Sequence, residues 1–175
     1  MEGSRGLGDV YKRQGKPGEL CIKGYSVMKE YWKNKTETKK AIDKDGWMRT
    51  GDLVLMRDDG YLEIVGRIKD TIIKGGENIY PREVEEFLIK IEQIEQAYVF
   101  GVPDKTYGEI VGCWVKLEKN KFISENQIKN RCKNKIASFK IPSFFRIVDE
   151  FPMTASGKVQ KFKMSEKEIA LKINK

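Results

Sequence analysis

Histidine is absent from the 175-residue sequence. Its absence excludes Ser-His-Asp and Cys-His catalysis, the usual zinc sites and the commonest general base. No apolar run approaches the ~20 residues that a membrane-spanning helix needs, and residues 1–14 lack the apolar stretch of a signal peptide. Any chemistry must therefore rest on Lys, Arg, Asp and Glu side chains and on backbone amides.

Cysteine is scarce. Cys21, Cys113 and Cys132 match no CxxC or other metal-ligand spacing, so we predict no metal site. Cys113 and Cys132 lie among apolar or helical positions. We interpret them as ordinary thiols of a reducing, intracellular compartment.

Basic residues outnumber acidic ones, 34 to 26, which gives a net charge of +8. Much of the excess lies in a closely spaced set: Lys129, Arg131, Lys133, Lys135 and Lys140. Such a face can attract phosphate in nucleic acid, anionic lipid or a phosphorylated cofactor. A solvated helix face has the same composition, and we favour that interpretation. A nucleic-acid-binding module would need aromatic platforms among the charges, yet Phe139, Phe144 and Phe145 fall where a core strand is predicted to begin.

The stretch Gly66–Asn78 separates two kinds of sequence. Its apolar content drops between Gly66 and Asp70 and then returns, as expected of a short polar joint between two packed bodies. Upstream, we predict strands at 18–24, 53–56 and 61–65, a hairpin turn at Asp59-Gly60, and a helix over 36–42 capped by Thr36.

Downstream of the joint, Pro81 suits the first turn of a helix. The apolar positions of this helix recur at i, i+3, i+4 and i+7: Val84, Phe87, Leu88 and Ile91. Strands are predicted at 97–102, 110–117 and 144–148, with a turn at Pro103-Asp104.

Two capping patterns predict further helices. Ser124 with Gln127 opens a helix through Ile136, and Ser165 with Glu168 caps a final short helix. Helices and strands mix without regular βαβ repetition, so the predicted fold class is α+β.

Two segments carry polar groups that could bind a ligand. Asp52 follows Gly51, and a carboxylate can accept hydrogen bonds from both hydroxyls of a ribose diol. Gly-Asp is more often a plain turn. The loop Gly75-Gly76-Glu77-Asn78 would present amides to a ligand or would cap a β-to-α turn.

Lys158 ends Ser156-Gly157-Lys158, which resembles the end of a phosphate loop. Pro152 and Val159 occupy positions where that motif needs Gly and Ser or Thr, so a mononucleotide P-loop is excluded. We interpret the segment before Lys158 as flexible, which would let its ammonium reach an anionic centre.

Five motifs occur in one order: Gly18–Gly24, Asp45–Asp52, Gly66–Asp70, Gly75–Pro81 and Pro152–Lys158. In that order and spacing they resemble the C-terminal part of acyl-CoA synthetases, members of the adenylate-forming superfamily. The resemblance covers about residues 15–163. It favours fatty-acyl synthetases of the medium-chain type.

The resemblance implies a two-step reaction that joins a fatty acid to AMP at the expense of ATP and then passes the acyl group to CoA. Mg²⁺ would enter with ATP. By motif, Asp52 would hold the ribose hydroxyls of AMP, with Arg67 assisting from the same side. Lys158 would be the catalytic residue, contacting the carboxylate and the α-phosphate. Lys69 would be the hinge of domain alternation, and Gly75, Gly76, Glu77 and Asn78 would line the pantetheine channel.

The resemblance also implies a division of the chain. Residues 1–14 are interpreted as a cloning or translation scar, 15–68 as the β-rich end of the large AMP-binding domain, and 69–175 as the small mobile C-terminal domain. The Ser/Thr/Gly-rich phosphate loop of the family is missing, so we expect a fragment that is inactive alone. Its N-terminal strands should expose apolar edges and favour aggregation.

Three alternatives remain at this stage. The chain could belong to an adenylation domain that loads a carrier protein, to a nucleic-acid-binding module, or to a structural piece without turnover. We expect an intracellular location, in the mitochondrial matrix or the cytoplasm.

Overall fold

The structure, a computed structural model, describes residues 16–173. They divide into two compact units, residues 16–69 and 70–173. The predicted scar at residues 1–14 lies outside the described residues, so its interpretation stays a prediction. The two units are described separately below.

The first unit is a three-stranded antiparallel sheet with one helix. Its elements are β1 (Gly18–Ile22), α1 (Lys35–Ala41), β2 (Met48–Met56) and β3 (Leu62–Arg67), with strand order β1-β2-β3. The amide of Arg57 donates to the carbonyl of Tyr61 across the β2–β3 turn (2.9 Å), and Gly60 adopts φ 82° there. Since glycine tolerates positive φ, the Asp59-Gly60 signal correctly predicted this hairpin.

The cap of α1 differs from the prediction. Asn34, not Thr36, caps the helix, because the Asn34 side chain accepts a hydrogen bond from the amide of Glu37 (3.1 Å). Thr36 lies inside the first turn. Asparagine and threonine are both favoured at the N-cap position. The helix begins at Lys35, so Asn34 occupies that position.

The sheet of the first unit has two open edges, β1 and β3. Leu62 and Ile64 on β3 are exposed. The predicted exposure of apolar edges is therefore confirmed, while the predicted aggregation stays a prediction.

The second unit is built on a five-stranded sheet. Its strands are β4 (Ile72–Lys74), β5 (Glu77–Ile79), β6 (Ile94–Asp104), β7 (Gly108–Leu117) and β8 (Phe144–Ile147). The order is β5-β4-β7-β6, and β8 pairs with β7 in parallel while the other pairs are antiparallel. Its helices are α2 (Pro81–Leu88), α3 (Glu125–Cys132) and α4 (Lys161–Ile173).

Both faces of this sheet are covered. Alternate residues of β6 and β7 point to opposite sides, so Val99 and Cys113 join one core and Phe100 and Trp114 join the other. The first core includes buried side chains of α2 and α3, and the second includes Met164 of α4. The predicted stripe on α2 is confirmed, since Val84 and Leu88 are fully buried.

Two boundaries in the second unit correct the predictions. Pro103 and Asp104 do not form a turn, because they remain paired with Glu109 and Gly108 at the end of the β6–β7 ladder. The Ser124–Gln127 capping box is confirmed, but α3 ends at Cys132 and not at Ile136. The turn between β6 and β7 comes after Asp104, whose carboxylate accepts hydrogen bonds from the amides of Thr106 and Tyr107.

The mixture of helices and mainly antiparallel strands confirms the α+β fold class. Among the described residues, none of the helices combines the length and apolar character needed to cross a bilayer.

Candidate functional site

Asp52 and Arg67 form a cross-strand ion pair in the first unit. They are register partners on β2 and β3, and Arg67 Nε donates to Asp52 Oδ1 at 2.8 Å. The side chains are 30% and 50% exposed, so solvent reaches both groups. Gly51 adopts φ 73°, a conformation that favours glycine. The structure thus brings together the carboxylate and guanidinium that the sequence motifs placed on one side of a nucleotide.

Arg67 also lines an open cleft of about 740 Å³ on the first unit. Glu19 and Arg49 lie in the same cleft and are paired, with Arg49 Nη2 and Glu19 Oε2 2.7 Å apart. A hydrogen bond from the guanidinium to Glu19 raises the pKa of Arg49 above its usual value. Both signs of charge therefore line the cleft, an arrangement that suits a polar ligand carrying hydroxyls and anionic groups.

Lys69 lies in the short 3₁₀ turn Ile68–Asp70, and the division between the two units follows it directly. Its side chain is exposed. A few exposed residues between two compact bodies are the structural requirement of a hinge. The hinge role itself stays a prediction.

Gly75 and Gly76 form the turn of the β4–β5 hairpin, with φ 58° and 85°. This corrects the alternative in which they cap a β-to-α turn, since α2 begins only after β5, at Pro81. The amide of Gly75 donates to the carbonyl of Tyr107 (2.9 Å) and so holds the turn against β6–β7. Glu77 and Asn78 follow on β5 and are exposed.

Lys158 lies on a hydrogen-bonded turn, where the sequence predicts a flexible segment. The amide of Thr154 donates to the carbonyl of Lys158 (2.8 Å), and the amide of Lys158 donates to Thr154 Oγ1 (3.0 Å). Gly157 adopts φ 78°, and Met153 pairs with Val159 at the base. The turn is fixed by its backbone, and the Lys158 side chain at its end is exposed. An ammonium presented in this way can meet an anionic group.

The polar contacts of α4, the helix that follows this turn, were not predicted from the sequence. Ser165 and Glu168 do not cap a helix, because α4 begins at Lys161 and both residues lie within it. Ser165 Oγ donates to the carbonyl of Gly101 (2.7 Å). Glu168 is only 5% exposed and accepts from Trp114 Nε1 (2.7 Å) and from two guanidinium nitrogens of Arg146.

Lys161 begins the same polar face, with its Nζ 2.6 Å from Glu85 Oε1 on α2. Lys161, Ser165 and Glu168 are spaced i, i+4 and i+7, which places them on one side of the helix. That spacing was the signal in the sequence for a polar face turned toward the sheet.

The cysteines form no catalytic arrangement. Cys113 and Cys132 are buried, and burial raises the pKa of both thiols, that of Cys132 to about 11. A protonated thiol is a poor nucleophile and a poor metal ligand. Within residues 16–173, no group of His, Cys, Asp and Glu is arranged to hold a metal ion.

Most of the second unit matches a known protein family. Residues 83–158 match the model for the AMP-binding enzyme C-terminal domain. These residues are an AMP-binding enzyme C-terminal domain. The match begins in α2 and ends at Lys158, so this domain lies within the second unit.

Relatives of the chain extend the similarity into the first unit. The chain is 52% identical over 159 residues to the putative acyl-CoA synthetase YngI of Bacillus subtilis, covering 91% of this chain and 29% of that protein. It is 47% identical over 150 residues to the mitochondrial medium-chain acyl-CoA ligase ACSF2 of Rattus norvegicus, covering 86% of this chain and 24% of that protein. The chain thus spans less than a third of the length of these relatives.

A solved structure gives the same result for the fold. The o-succinylbenzoate CoA synthetase MenE of Bacillus subtilis, in complex with its acyl-adenylate intermediate, matches with a TM-score of 0.79 at 34% identity. The match covers 86% of this chain and 31% of that one. Sequence and fold comparisons therefore agree on acyl-CoA synthetases as homologues of this chain.

The predicted basic face lies within the AMP-binding enzyme C-terminal domain, and the aromatic side chains near it belong to the cores of the second unit. Phe145 is buried, while Phe139 and Phe144 pack against the two cores. Lys140 is paired with Glu83 of α2 at 2.7 Å. Because these aromatic side chains serve the core, they are not available as stacking platforms for bases.

Proposed function

We propose that this chain is the C-terminal part of an AMP-forming fatty acid–CoA ligase. The observation that carries the proposal is the 91% coverage at 52% identity by an acyl-CoA synthetase, which includes both units. The Asp52–Arg67 pair and the Lys158 turn then belong to one enzyme. A medium-chain fatty acid is the proposed substrate, because a relative at 47% identity is named a medium-chain acyl-CoA ligase.

Lys158 is proposed to act in the adenylation step. The fatty acid carboxylate displaces pyrophosphate from the α-phosphorus of ATP, and negative charge builds on the phosphoryl oxygens. A positioned ammonium stabilises that charge electrostatically without accepting or donating a proton. The support is geometric, since Lys158 stands exposed on a fixed turn.

Asp52 and Arg67 are proposed to hold the nucleotide. Arg67 Nε already contacts Asp52 Oδ1. This contact orients the carboxylate on its strand to accept hydrogen bonds from vicinal ribose hydroxyls. Mg²⁺ is proposed to arrive with ATP, since Mg²⁺ in nucleotide sites is held by substrate phosphates together with one or two carboxylates.

The division at Lys69 is proposed to serve domain alternation. One orientation of the second unit would bring Lys158 to the nucleotide, and the other would bring the Gly75–Asn78 hairpin to the CoA thiol and its pantetheine arm. The exposed junction and the compactness of each unit support this proposal. Since the relatives include a bacterial protein and a mitochondrial one, the proposed compartment is cytoplasm or mitochondrial matrix.

The 175-residue chain by itself is proposed to be inactive. Its sequence contains no Ser/Thr/Gly-rich loop that could hold the ATP triphosphate. The test incubates the purified chain with ATP, CoA and a medium-chain fatty acid and follows acyl-AMP. Formation of acyl-AMP by the chain alone would contradict this part of the proposal.

A chimaera tests the ligase function. The upstream part of rat ACSF2 is joined to residues 16–175 of this chain and supplied with a medium-chain fatty acid, ATP and CoA. We expect acyl-CoA formation, and we expect Lys158→Ala to lower fatty-acid-dependent pyrophosphate–ATP exchange by about 100-fold or more. Thioester formation from supplied acyl-AMP should change little.

The matched control is Lys163→Ala, an exposed lysine on α4, which should leave both half-reactions intact. A folded chimaera without ligase activity would contradict the proposal. Transfer of the acyl group to a carrier protein but not to CoA would favour the carrier-loading alternative. Equal loss of both half-reactions in Lys158→Ala would overturn the role of Lys158.

A further inference from the structure

The Lys158 turn is joined to α4 through only Val159 and Gln160. Gln160 closes the ladder at the base of the turn, since its amide donates to the carbonyl of Pro152 (2.8 Å). Lys161, the next residue, is the first of α4. The contacts that hold the first turn of α4 in place therefore also set the direction in which the Lys158 turn projects from the domain.

The start of α4 is fixed by an ion pair between distant parts of the sequence. Lys161 Nζ lies 2.6 Å from Glu85 Oε1, and the two side chains are 21% and 18% exposed. The same oxygen of Glu85 accepts a hydrogen bond from the amide of Val99 on β6 (2.7 Å). Glu85 is thus held by the sheet while it holds Lys161, and its low exposure limits screening by salt.

The remaining polar contacts of α4 lie further along the helix. Ser165 contacts the carbonyl of Gly101, and Glu168 contacts Trp114 and Arg146. These contacts hold the second and third turns of α4 on the sheet. Loss of the Lys161 contact would therefore remove the polar contact nearest the Lys158 turn and loosen that end of the helix, while the packing of Val159 and the rest of the helix stay in place.

We propose that Lys161 is a positioning residue for Lys158, acting through its ion pair with Glu85. This proposal rests on the role of Lys158 proposed above. A charged group stabilises a transition state only when it meets the developing charge, and a displacement of ~1 Å can cost about 100-fold in rate. In this proposal Lys161 acts only through Lys158, since its ammonium is engaged by Glu85.

The test uses the chimaera and measures the two half-reactions separately. Lys161→Met removes the ammonium but keeps most of the side-chain length. We expect it to lower the maximal rate of pyrophosphate–ATP exchange by about tenfold or more, with little change in the KM for ATP. Thioester formation from supplied acyl-AMP should stay within about twofold, because Lys158 is withdrawn in that step.

A second variant attacks the pair from the other side. In Glu85→Gln, the amide oxygen can still accept from Val99, but the partner charge of Lys161 is lost. It should reproduce the selective loss seen in Lys161→Met. The double variant should be no slower than either single variant, because both remove the same interaction. Lys161→Arg should restore most of the exchange rate.

The controls separate positioning from mere stability. Lys163→Met makes the same chemical change two residues away on an exposed position and should be silent. Thermal melting identifies variants that are partly unfolded, and partial unfolding would lower both half-reactions together. An equal loss in both half-reactions, or additive single variants, would overturn the proposal.

The two proposals fail in distinguishable ways. If Lys158→Ala spares adenylation, the proposed function of Lys158 is wrong. If Lys158→Ala abolishes adenylation but Lys161→Met does not impair it, the function stands and the positioning role is wrong.

Discussion

In the second unit both faces of a five-stranded sheet are covered, whereas the three-stranded sheet of the first unit has little cover. Among the described residues 16–69, the buried apolar side chains are Val54 and Met56. Large apolar side chains exposed in the same unit are Tyr25, Tyr31, Trp32, Tyr61, Leu62, Ile64 and Ile68. Burial of apolar surface is the main stabilising contribution to folding. The second unit therefore has the means to fold by itself, and the first does not.

The same difference affects the candidate site. Asp52 and Arg67 rely on an exposed ion pair, which contributes only ~0–1 kcal/mol to stability. Lys158 instead extends from a turn whose flanking helix is fixed to a packed sheet by partly buried polar contacts. The backbone that carries Lys158 is thus held by the packed sheet of the second unit, whereas Asp52 lies on a sheet with little cover.

The largest effect is expected when the two units are produced as separate polypeptides and their unfolding is compared. We expect residues 70–173 to unfold in one cooperative transition, and residues 16–69 to show none, because so small a unit with two buried apolar side chains cannot offset its chain entropy. Circular dichroism during urea titration measures both. A cooperative transition in the isolated first unit would show that this unit also folds by itself, which contradicts the difference described above.

A substitution in the core of the second unit should have the next largest effect. Leu88 is fully buried, and its neighbour Ile89 is 51% exposed. Leu88→Ala should lower the free energy of unfolding by about 2–5 kcal/mol, measured by chemical denaturation. Ile89→Ala is the matched control and should cost less than about 1 kcal/mol. Similar losses in the two variants would mean that the core of the second unit is not packed as described.

Breaking the buried polar contact of α4 should lower the free energy of unfolding by less than Leu88→Ala does. Glu168→Gln removes the charge that two guanidinium nitrogens of Arg146 share, and hydrogen bonds to charged groups contribute about 1.5–3 kcal/mol. Glu166→Gln changes an exposed position on the same helix and serves as the control. The same denaturation measurement should show destabilisation only in the first variant.

Local signals in the sequence predicted much of this fold. Pro81 began α2, Ser124 and Gln127 capped α3, and Asp59-Gly60 turned the first hairpin. Each depends on groups a few residues apart, so the sequence shows both partners together. Pro103-Asp104 failed because pairing with β7 outweighed the turn preference of the two residues.

The candidate site was less accessible to sequence reasoning. Asp52 and Lys158 were candidates from their own short motifs, but each motif alone is common, so their roles were predicted only through resemblance to a family. The Glu85–Lys161 and Arg146–Glu168 pairs join residues far apart in the chain and leave no local signature. A three-residue spacing fits a helix cap as well as one face of a helix, and the start of α4 at Lys161 decides between them.

The buried cysteines of the second unit, Cys113 and Cys132, should make the free energy of unfolding depend on pH in the alkaline range. This is the smallest of the expected effects. Burial raises the pKa of the Cys132 thiol to about 11 and also raises that of Cys113, whereas unfolded thiols titrate near pH ~8.5. Between these values the unfolded chain loses protons that the folded chain keeps. The free energy of unfolding should therefore be unaffected below pH ~8.5 and fall as the pH rises toward ~11. Cys132→Val should flatten this fall in denaturation measurements between pH 8 and 10. An unchanged slope in Cys132→Val would show that this thiol is not shielded within the second unit.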